Sequence, residues 1–558
     1  NGHFSNGAVW TSLMLATVET SGSDAQVNIW DLTAGTLASA TPLATLTLTG
    51  ATSTSIAASM GYIIVGTSDQ GMHIVDPHGG AWAERTDGWP RSVTTSGAPV
   101  LTNVNVTAVA AGVQSVGPLD PLTGGTLPSF LAGYGTGADI ASLIKYDGNV
   151  WDKAATVGNP GVAFIGDLVA IADNNSGDRV LLSAGPVATI VADDFLTGNV
   201  LGGSNNIPPS LAITAGGTAT RGSTLLGFGA AGLTVADVLR SGPGNFDKTM
   251  SALITRTYNT GYLHGDIRGA WLANSDTVDR SYKGNTLTEN GTVVEAAVAS
   301  GAELKGYSDW STSNYLARAN DADYNAIGTG AVTLSGWFKT SGASASEWLF
   351  GIGNTGGTLR FNVYLFADEK LGTIDDGATA NVQIAPDATY NDGKWHHIVY
   401  TRTSSVLRSL YVDGVLQGTS TTDAGSLTGT IIFQIGLSSE ASVPATSSTL
   451  SLVRLSAYFA MTAAQAKEMY EAEAPMFAAN AKVLLQSGST DAVLDAKVDP
   501  LSGKYIVTQT DSQEIFDGLA IETERTVATG GSTFEHGALF GDAVAEINNA
   551  NLFASTPA

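Results

Sequence analysis

The feature that most constrains this chain is a short unit that recurs through its first half: an apolar run, a polar or glycine-containing turn, then a second apolar run. It appears as LMLATVETSGSDAQVNIWDL (13–32), YIIVGTSDQGMHIVDP (62–77), FLAGYGTGADIASLIKYDG (130–148), LVAIADNNSGDRVLLSAG (168–185) and LLGFGAAGLTVAD (225–237). Each reads as strand, tight turn, strand. The units follow one another at about 35 to 60 residues, near the spacing of propeller blades, where each four-stranded sheet carries such a hairpin. A row of blades buries faces that no single blade buries alone. The first half is therefore expected to be a degenerate β-propeller whose blade number the repeat leaves open.

Composition agrees with sheets and turns. Charged residues are 14% of the chain and glycines number 66, whereas ordinary globular chains carry about 25% charged residues. Small and β-branched residues fill the difference, and these favour strands and tight turns. At 558 residues two or three domains are expected, and a hydrophobic fraction of 43% is ample for packed cores. The net charge of −25 argues against nucleic acid as a partner, because phosphate binding needs clustered Lys and Arg. It equally disfavours docking on anionic lipid. With no cysteine, disulfides, thiolate metal sites and thiol nucleophiles are excluded. No apolar window reaches the length of a membrane span, so no membrane insertion is expected. The opening NGHFSNGAVW lacks the basic and apolar regions of a secretory leader; whether residues precede Asn1 stays open.

The pattern changes near residue 262. YLHGDIRGAWLANSDTVDRSYKGN reads as a connector, and longer strands with more aromatics follow: NYLARANDADYNAI, AVTLSGWFKT, EWLFGIG, LRFNVYLFA, NDGKWHHIVYTRTSSVLRSLYVDGVLQG, TIIFQIG and SLVRLSAYF. Their extent is that of a double-sheet jelly roll. The ordered succession of the Gly-Trp strand, D-G-x-W-H-H, Y-V-D-G and a closing helix resembles the laminin-G-like, concanavalin A-like lectin superfamily. The resemblance implies a jelly-roll sandwich that binds sugars or protein surfaces and is only sometimes catalytic.

TAAQAKEMYEAEAPMFAANA is the convincing helix. Thr462 is a suitable N-cap, Gln465 stands at capping-box spacing, and Ala466, Met469, Tyr470 and Met476 recur at helical spacing. Beyond it, YIVTQTDSQEIFDG returns to the hairpin style of YIIVGTSDQGMHIVD. The chain is thus expected to come back and close the ring, since a late strand removes exposed sheet edges; an independent small domain is the alternative. The expected fold is all-β: a degenerate β-propeller (1–262), a connector (263–283), an inserted laminin-G-like jelly-roll sandwich (284–460), one C-terminal helix (461–480), returning strands that close the propeller (481–525) and a C-terminal tail (526–558).

This combination, with Tyr470, Glu471, Glu473, Phe477, Asn480 and Ala481 in the run Y-E-x-E-x-x-x-F-x-x-N-A, resembles tail-fibre or tail-tip proteins of marine bacteriophages. TYNTGYLHGDIRGAWL is similar to that family's connector. The resemblance implies a virion tail component, assembled in the host cytoplasm and acting outside the cell. It also implies other tail proteins as partners, a homo-oligomer (a trimer by analogy with fibres) and attachment to a host cell-surface glycan or receptor.

Candidate chemistry is sparse. His396 and His397 are neighbours, and neighbours on a strand face opposite ways. Trp395, His397 and Val399 should share one face and His396, Ile398 and Tyr400 the other, which makes the pair rungs of a strand. GFGAAG (227–232) spells a dinucleotide fingerprint, but no βαβ context surrounds it. TSDQG (67–71) resembles the structural Asp-box turn of sialidase propellers. The acidic stretch ADEKLGTIDDG offers Asp368, Glu369, Asp375 and Asp376. Calcium favours loop carboxylates, and the laminin-G-like resemblance implies a rim site for it, so Asp375 and Asp376 are the metal candidates. Asp-Asp-Gly is also an ordinary turn. A sugar face needs an aromatic to stack on the ring, with amides and carboxylates for its hydroxyls, and Trp348 and Tyr364 are the candidates by position. No E-x-D-x-x-E run or other familiar hydrolase motif occurs. The expectation is a non-enzymatic attachment protein; a purely structural tail or nozzle component and a polysaccharide-degrading tailspike are the alternatives, and a secreted bacterial adhesin a weaker one.

Overall fold

The computed structural model describes residues 14–31, 41–59, 62–75, 101, 103–112, 119, 127–146, 149–154, 161–165, 167–173, 179–183, 186–193, 196–201, 218–221, 224–237, 250–281, 283–319, 321–325, 327–342, 345–354, 360–377, 380–384, 388–422, 426–427, 430–438, 443–498, 503–526, 534–540, 544–548 and 551–555. The fold is all-β, apart from the helix Ala463–Glu473 and short helical turns.

The first half is a row of antiparallel meanders. Strands Ser53–Ser59, Tyr62–Thr67 and Gly71–Val75 form a three-stranded sheet. Four-stranded sheets run from Val106–Gly112 to Val150–Ala154 and from Val162–Ile165 to Leu196–Leu201, and a five-stranded one from Thr218–Arg221 to Leu263–His264. The first strands of successive sheets stand side by side, the order of blades in a propeller. Their faces explain why. In Tyr62–Thr67 every residue is buried, with Ile63 and Val65 packing toward Val27 and Ile29 and Tyr62 and Ile64 toward Phe130 and Tyr134. Period-two alternation with both faces apolar can be satisfied only by a sheet on each side.

The chain's return has two parts. The stretch 493–526 forms a four-stranded sheet of its own, beginning with Val493–Val498, which lies beside Thr218–Arg221 and Thr224–Gly229. The strand that comes back to the first sheet is Phe534–Phe540, in the stretch read as the tail. It pairs with Met14–Ser21 in the register Met14↔Phe540 to Thr17↔Gly537 and neighbours Ser53–Ser59.

The inserted module is a two-sheet jelly roll. An eight-stranded sheet runs Val294–Ala297, Lys305–Ser308, Ser448–Ala457, Val332–Thr340, Trp395–Ser404, Leu407–Val412 and Val415–Ser420, with Asp266–Trp271 also on Ser448–Ala457. A seven-stranded sheet runs Thr288–Asn290, Tyr315–Arg318, Ile431–Ile435, Glu347–Asn354, Arg360–Leu365, Leu371–Gly377 and Ala380–Ile384. The presumed connector thus donates a strand to the sandwich. Between the sheets lie Phe338, Ile398, Tyr400 and Leu455 from one and Phe350, Ile352, Phe361, Val363 and Phe433 from the other.

The outer face of the eight-stranded sheet is also buried. Trp337, Val399, Tyr411 and Leu452 share one core with Ala466, Met469 and Phe477 beyond them, with Leu226, Val235 and Ile254 of the five-stranded sheet, and with Val493, Val507 and Phe516. The helix is capped as its sequence predicts: Thr462 Oγ1 accepts from Gln465 N, and the Gln465 side chain accepts from Thr462 N. At its end Glu473, fully buried, accepts from Trp337 Nε1 (2.7 Å), Tyr262 N (2.7 Å) and Arg454 Nη2 (2.8 Å). Phe477 stacks on Trp337 at 4.2 Å. The Y-E-x-E-x-x-x-F run is therefore the dock that fastens the sandwich to the blades.

Candidate functional site

The adjacent histidines separate as the strand period requires. His397 lies opposite Trp337 in register, fully buried, with neither ring nitrogen hydrogen-bonded. Burial, with the nearby Arg454 guanidinium adding to it, holds its pKa well below the ordinary value. It is a neutral packing imidazole. His396 faces the rim. Its Nδ1 is 2.8 Å from Asp413 Oδ2 in the Y-V-D-G turn, and its Nε2 is 3.1 Å from Asp392 Oδ1. Asp413 Oδ1 also accepts from His397 N (2.8 Å). Burial lowers the His396 pKa, but the two carboxylates outweigh it and the net shift is upward. Asp392, accepting from Lys394 N and facing His396, is held down at about 2. The cluster ties the hairpin Leu407–Val412/Val415–Ser420 to the loop before Trp395, which is a structural task.

Trp348 and Tyr364 are brought together: they are direct cross-strand partners on the seven-stranded sheet. A bulge at Leu349 allows both Leu349 and Phe350 to enter the core. Trp348 is only 2% exposed and its Nε1 has no hydrogen-bond partner, so its ring faces are covered. Tyr364 is half-buried and stands beside Phe366 at 5.3 Å. Sequence reasoning missed the polar row next to it: Gln434, Gly351 and Asn362 lie in register across three strands on the face opposite the core residues Phe433, Ile435, Phe361 and Val363. Gly351 is required there, because a Cβ would stand 2.6 Å from Asn362 Cα. Both amides are themselves buried, Gln434 at 5% and Asn362 at 0% exposure, so in this row only the Tyr364 ring is open to a ligand; period-two counting from the core residues would have found the row.

Asp375 and Asp376 lie on the strand Leu371–Gly377, paired with Val382 and Asn381; their side chains lie outside the described residues. Asp368 is paired with Lys370, and Glu369 holds Asn391. Among the described residues no group of three or more His, Cys, Asp and Glu is placed to hold a metal ion. GFGAAG forms a hairpin, with Phe228 opposite Leu233 and Gly229 opposite Gly232, and it leads into the strand Gly232–Asp237 rather than directly into a helix. Asp69 of TSDQG accepts from Thr52 N (3.1 Å), so it ties its turn to the preceding strand rather than closing its own hairpin.

Two antiparallel sheets around an apolar core, with a hairpin-and-helix closure, define a lectin-like sandwich. Residues 311–467 match the family model described as the Concanavalin A-like lectin/glucanases superfamily. No curated protein matches the chain. Solved structures similar to it include domain 4 of an extracellular arabinanase from Geobacillus stearothermophilus, in complex with arabinotriose (15% identity, 37% of this chain and 98% of that chain, TM-score 0.30). The binding domain of Paraclostridial Mosquitocidal Protein 1 matches at 11% identity over 51% of this chain and 81% of that chain (TM-score 0.31). A heptameric pentraxin from Limulus polyphemus matches at 17% identity over 26% and 73% (TM-score 0.22). At such scores these likenesses carry no argument about function.

Proposed function

We propose that this chain is an attachment protein of a bacteriophage tail, which binds a host-surface glycan or receptor through its lectin-like sandwich and does not turn the ligand over. The observation that carries the binding reading is the match of residues 311–467 to a lectin-like family model on a sandwich whose seven-stranded sheet leaves Tyr364 half-buried on the face away from the core. The non-enzymatic reading is supported by the histidines: one is packed and neutral, the other held between structural carboxylates. The tail setting rests on the resemblance of the run from Tyr470 to Ala481. In that setting the blades are a platform, the other tail proteins are partners, and a homotrimer presents several copies. Multiple weak sites on one particle then give firm attachment.

The test uses the full chain on arrayed bacterial surface polysaccharides, with oligosaccharide release assayed in the same wells. Binding without release is expected, at least tenfold weaker in Tyr364→Ala. That variant is preferred to Trp348→Ala, which empties a buried site and costs about 3–5 kcal/mol of stability. Release of oligosaccharide would overturn the non-enzymatic reading, and absence of binding by the folded protein would favour a structural tail component.

A further inference from the structure

Among the arginines whose side chains are described, each of the others has a partner for its guanidinium. Arg268 pairs with Asp266 and Asp323, Arg318 with Asp321, Arg454 with Glu473 and Arg256 with Asp491; Arg402 and Arg408 donate to backbone carbonyls, and Arg360 is engaged as well. Arg280 differs. Its guanidinium lies over the Tyr258 ring, 3.9 Å from the centroid. Its Nε is buried with no hydrogen-bond acceptor, as is that of Arg256, Arg268, Arg318 and Arg408, but unlike theirs its guanidinium makes no ion pair or hydrogen bond elsewhere among the described residues. Burial draws its pKa down, and the opposing influence comes from the phenols of Tyr258 and Tyr307. The acids facing Tyr307 are Glu295 and Asp276; Glu295 is occupied by Tyr307 Oη (3.4 Å) and Lys305 Nζ (3.7 Å), and Asp276 accepts from Thr277 N (2.8 Å). A half-buried cation without a counter-ion is costly, and it is conspicuous in a chain of net charge −25. Stacking on Tyr258 fixes the plane of the guanidinium, and a fixed fork is what a planar oxyanion recognises through two parallel hydrogen bonds.

We propose that Arg280, held on Tyr258 where the strand Asp266–Trp271 leads into the sandwich, is a binding site for the carboxylate of an acidic saccharide. The site lies outside residues 311–467 and is separate from the Tyr364 face. It rests on the glycan reading for the body of the ligand, while the unpaired guanidinium alone argues for the charge.

The test is a ligand-observed NMR titration of the full chain with glucuronate, galacturonate and N-acetylneuraminate. Neutral glucose and inorganic sulfate are the comparison probes. At least one sugar acid should bind, glucose should not, and affinity should fall with added salt. Arg280→Gln should weaken binding at least tenfold with an unchanged melting temperature, Arg280→Lys should restore part of it, and Tyr364→Ala should leave it intact. Because Tyr364→Ala reports on the other face, failure of that face and failure of this site remain distinguishable. Sulfate binding as tightly as the best sugar acid would overturn the saccharide assignment. Equal affinity in Arg280→Gln, or no binding of any sugar acid, would overturn the site.

Discussion

At the scale of single residues, a side chain's charge is decided by which face of its strand it occupies. His396 and His397 share a backbone and little else. His397 faces Trp337 and is kept neutral by burial, whereas His396 sits between Asp413 and Asp392 and is pushed above the ordinary histidine value. A raised folded-state pKa contributes stability that is fully present below the unfolded value near 6.5 and is lost as pH rises through the folded value. The His396 latch should therefore weaken as pH rises past about 6.5 and through its raised folded value. Asp392 adds a second limit, because its depressed pKa makes its contribution vanish as pH falls toward about 2. Histidine NMR titration of the full chain should place one imidazole above 6.5, and Asp413→Asn should bring that resonance down toward or below 6.5. An Asp413→Asn spectrum with no moved histidine would refute the latch. This much was legible in WHHIVYTR, where alternation alone separated the two rings. What was not legible was exposure: Trp348 and Tyr364 are both aromatics on the same sheet, yet one is covered. A strand with apolar residues on both faces gives no sign of which ring stays open.

Elements were legible where their signals are local. The helix Ala463–Glu473 announces itself through Thr462 and Gln465, and the hairpins through their turns. The strand Asp266–Trp271 was read as connector because it is short, interrupted by Gly269, and paired with Ser448–Ala457 far along the chain. Gly269 is needed there, since a Cβ would stand 2.0 Å from the Trp271 ring, and a glycine in a short run looks like a loop from sequence alone. Tyr258 and Arg280 were missed for the same reason: they meet across an irregular connection that has no period. The joint between helix and sandwich gives a sharp expectation. Glu473 and Arg454 form a pair with side-chain exposures of 0% and 2%, and removing one partner leaves the other charge buried. Glu473→Gln should cost about 3–5 kcal/mol in denaturant unfolding. The double variant Glu473→Gln/Arg454→Met should recover part of that loss. Loss below about 1 kcal/mol would mean that water reaches Arg454 once the carboxylate is gone.

For the whole molecule, the consequential fact is that the sandwich has two buried faces on its eight-stranded sheet. One core joins Trp337, Val399 and Leu452 to the blades through the helix, so the sandwich is built onto its platform rather than tethered to it. An excised 284–460 segment would expose that face and lack Asp266–Trp271, and binding is therefore best measured on the full chain. The same logic applies at the far end. Met14–Ser21 would be bare along one side without Phe534–Phe540, and a bare strand edge offers its unpaired N–H and C=O groups to other chains. A chain ending after Thr526 should keep the sandwich, because none of that module's strands lies beyond it. It should nevertheless melt earlier, by roughly 2–4 °C for each kcal/mol lost, and should self-associate with rising concentration. Calorimetry and light scattering on the truncated and full chains read these two effects separately. Identical melting and no self-association would mean that the first sheet does not depend on the returning strand. The closure of the blade row would then have to come from contacts other than this pairing.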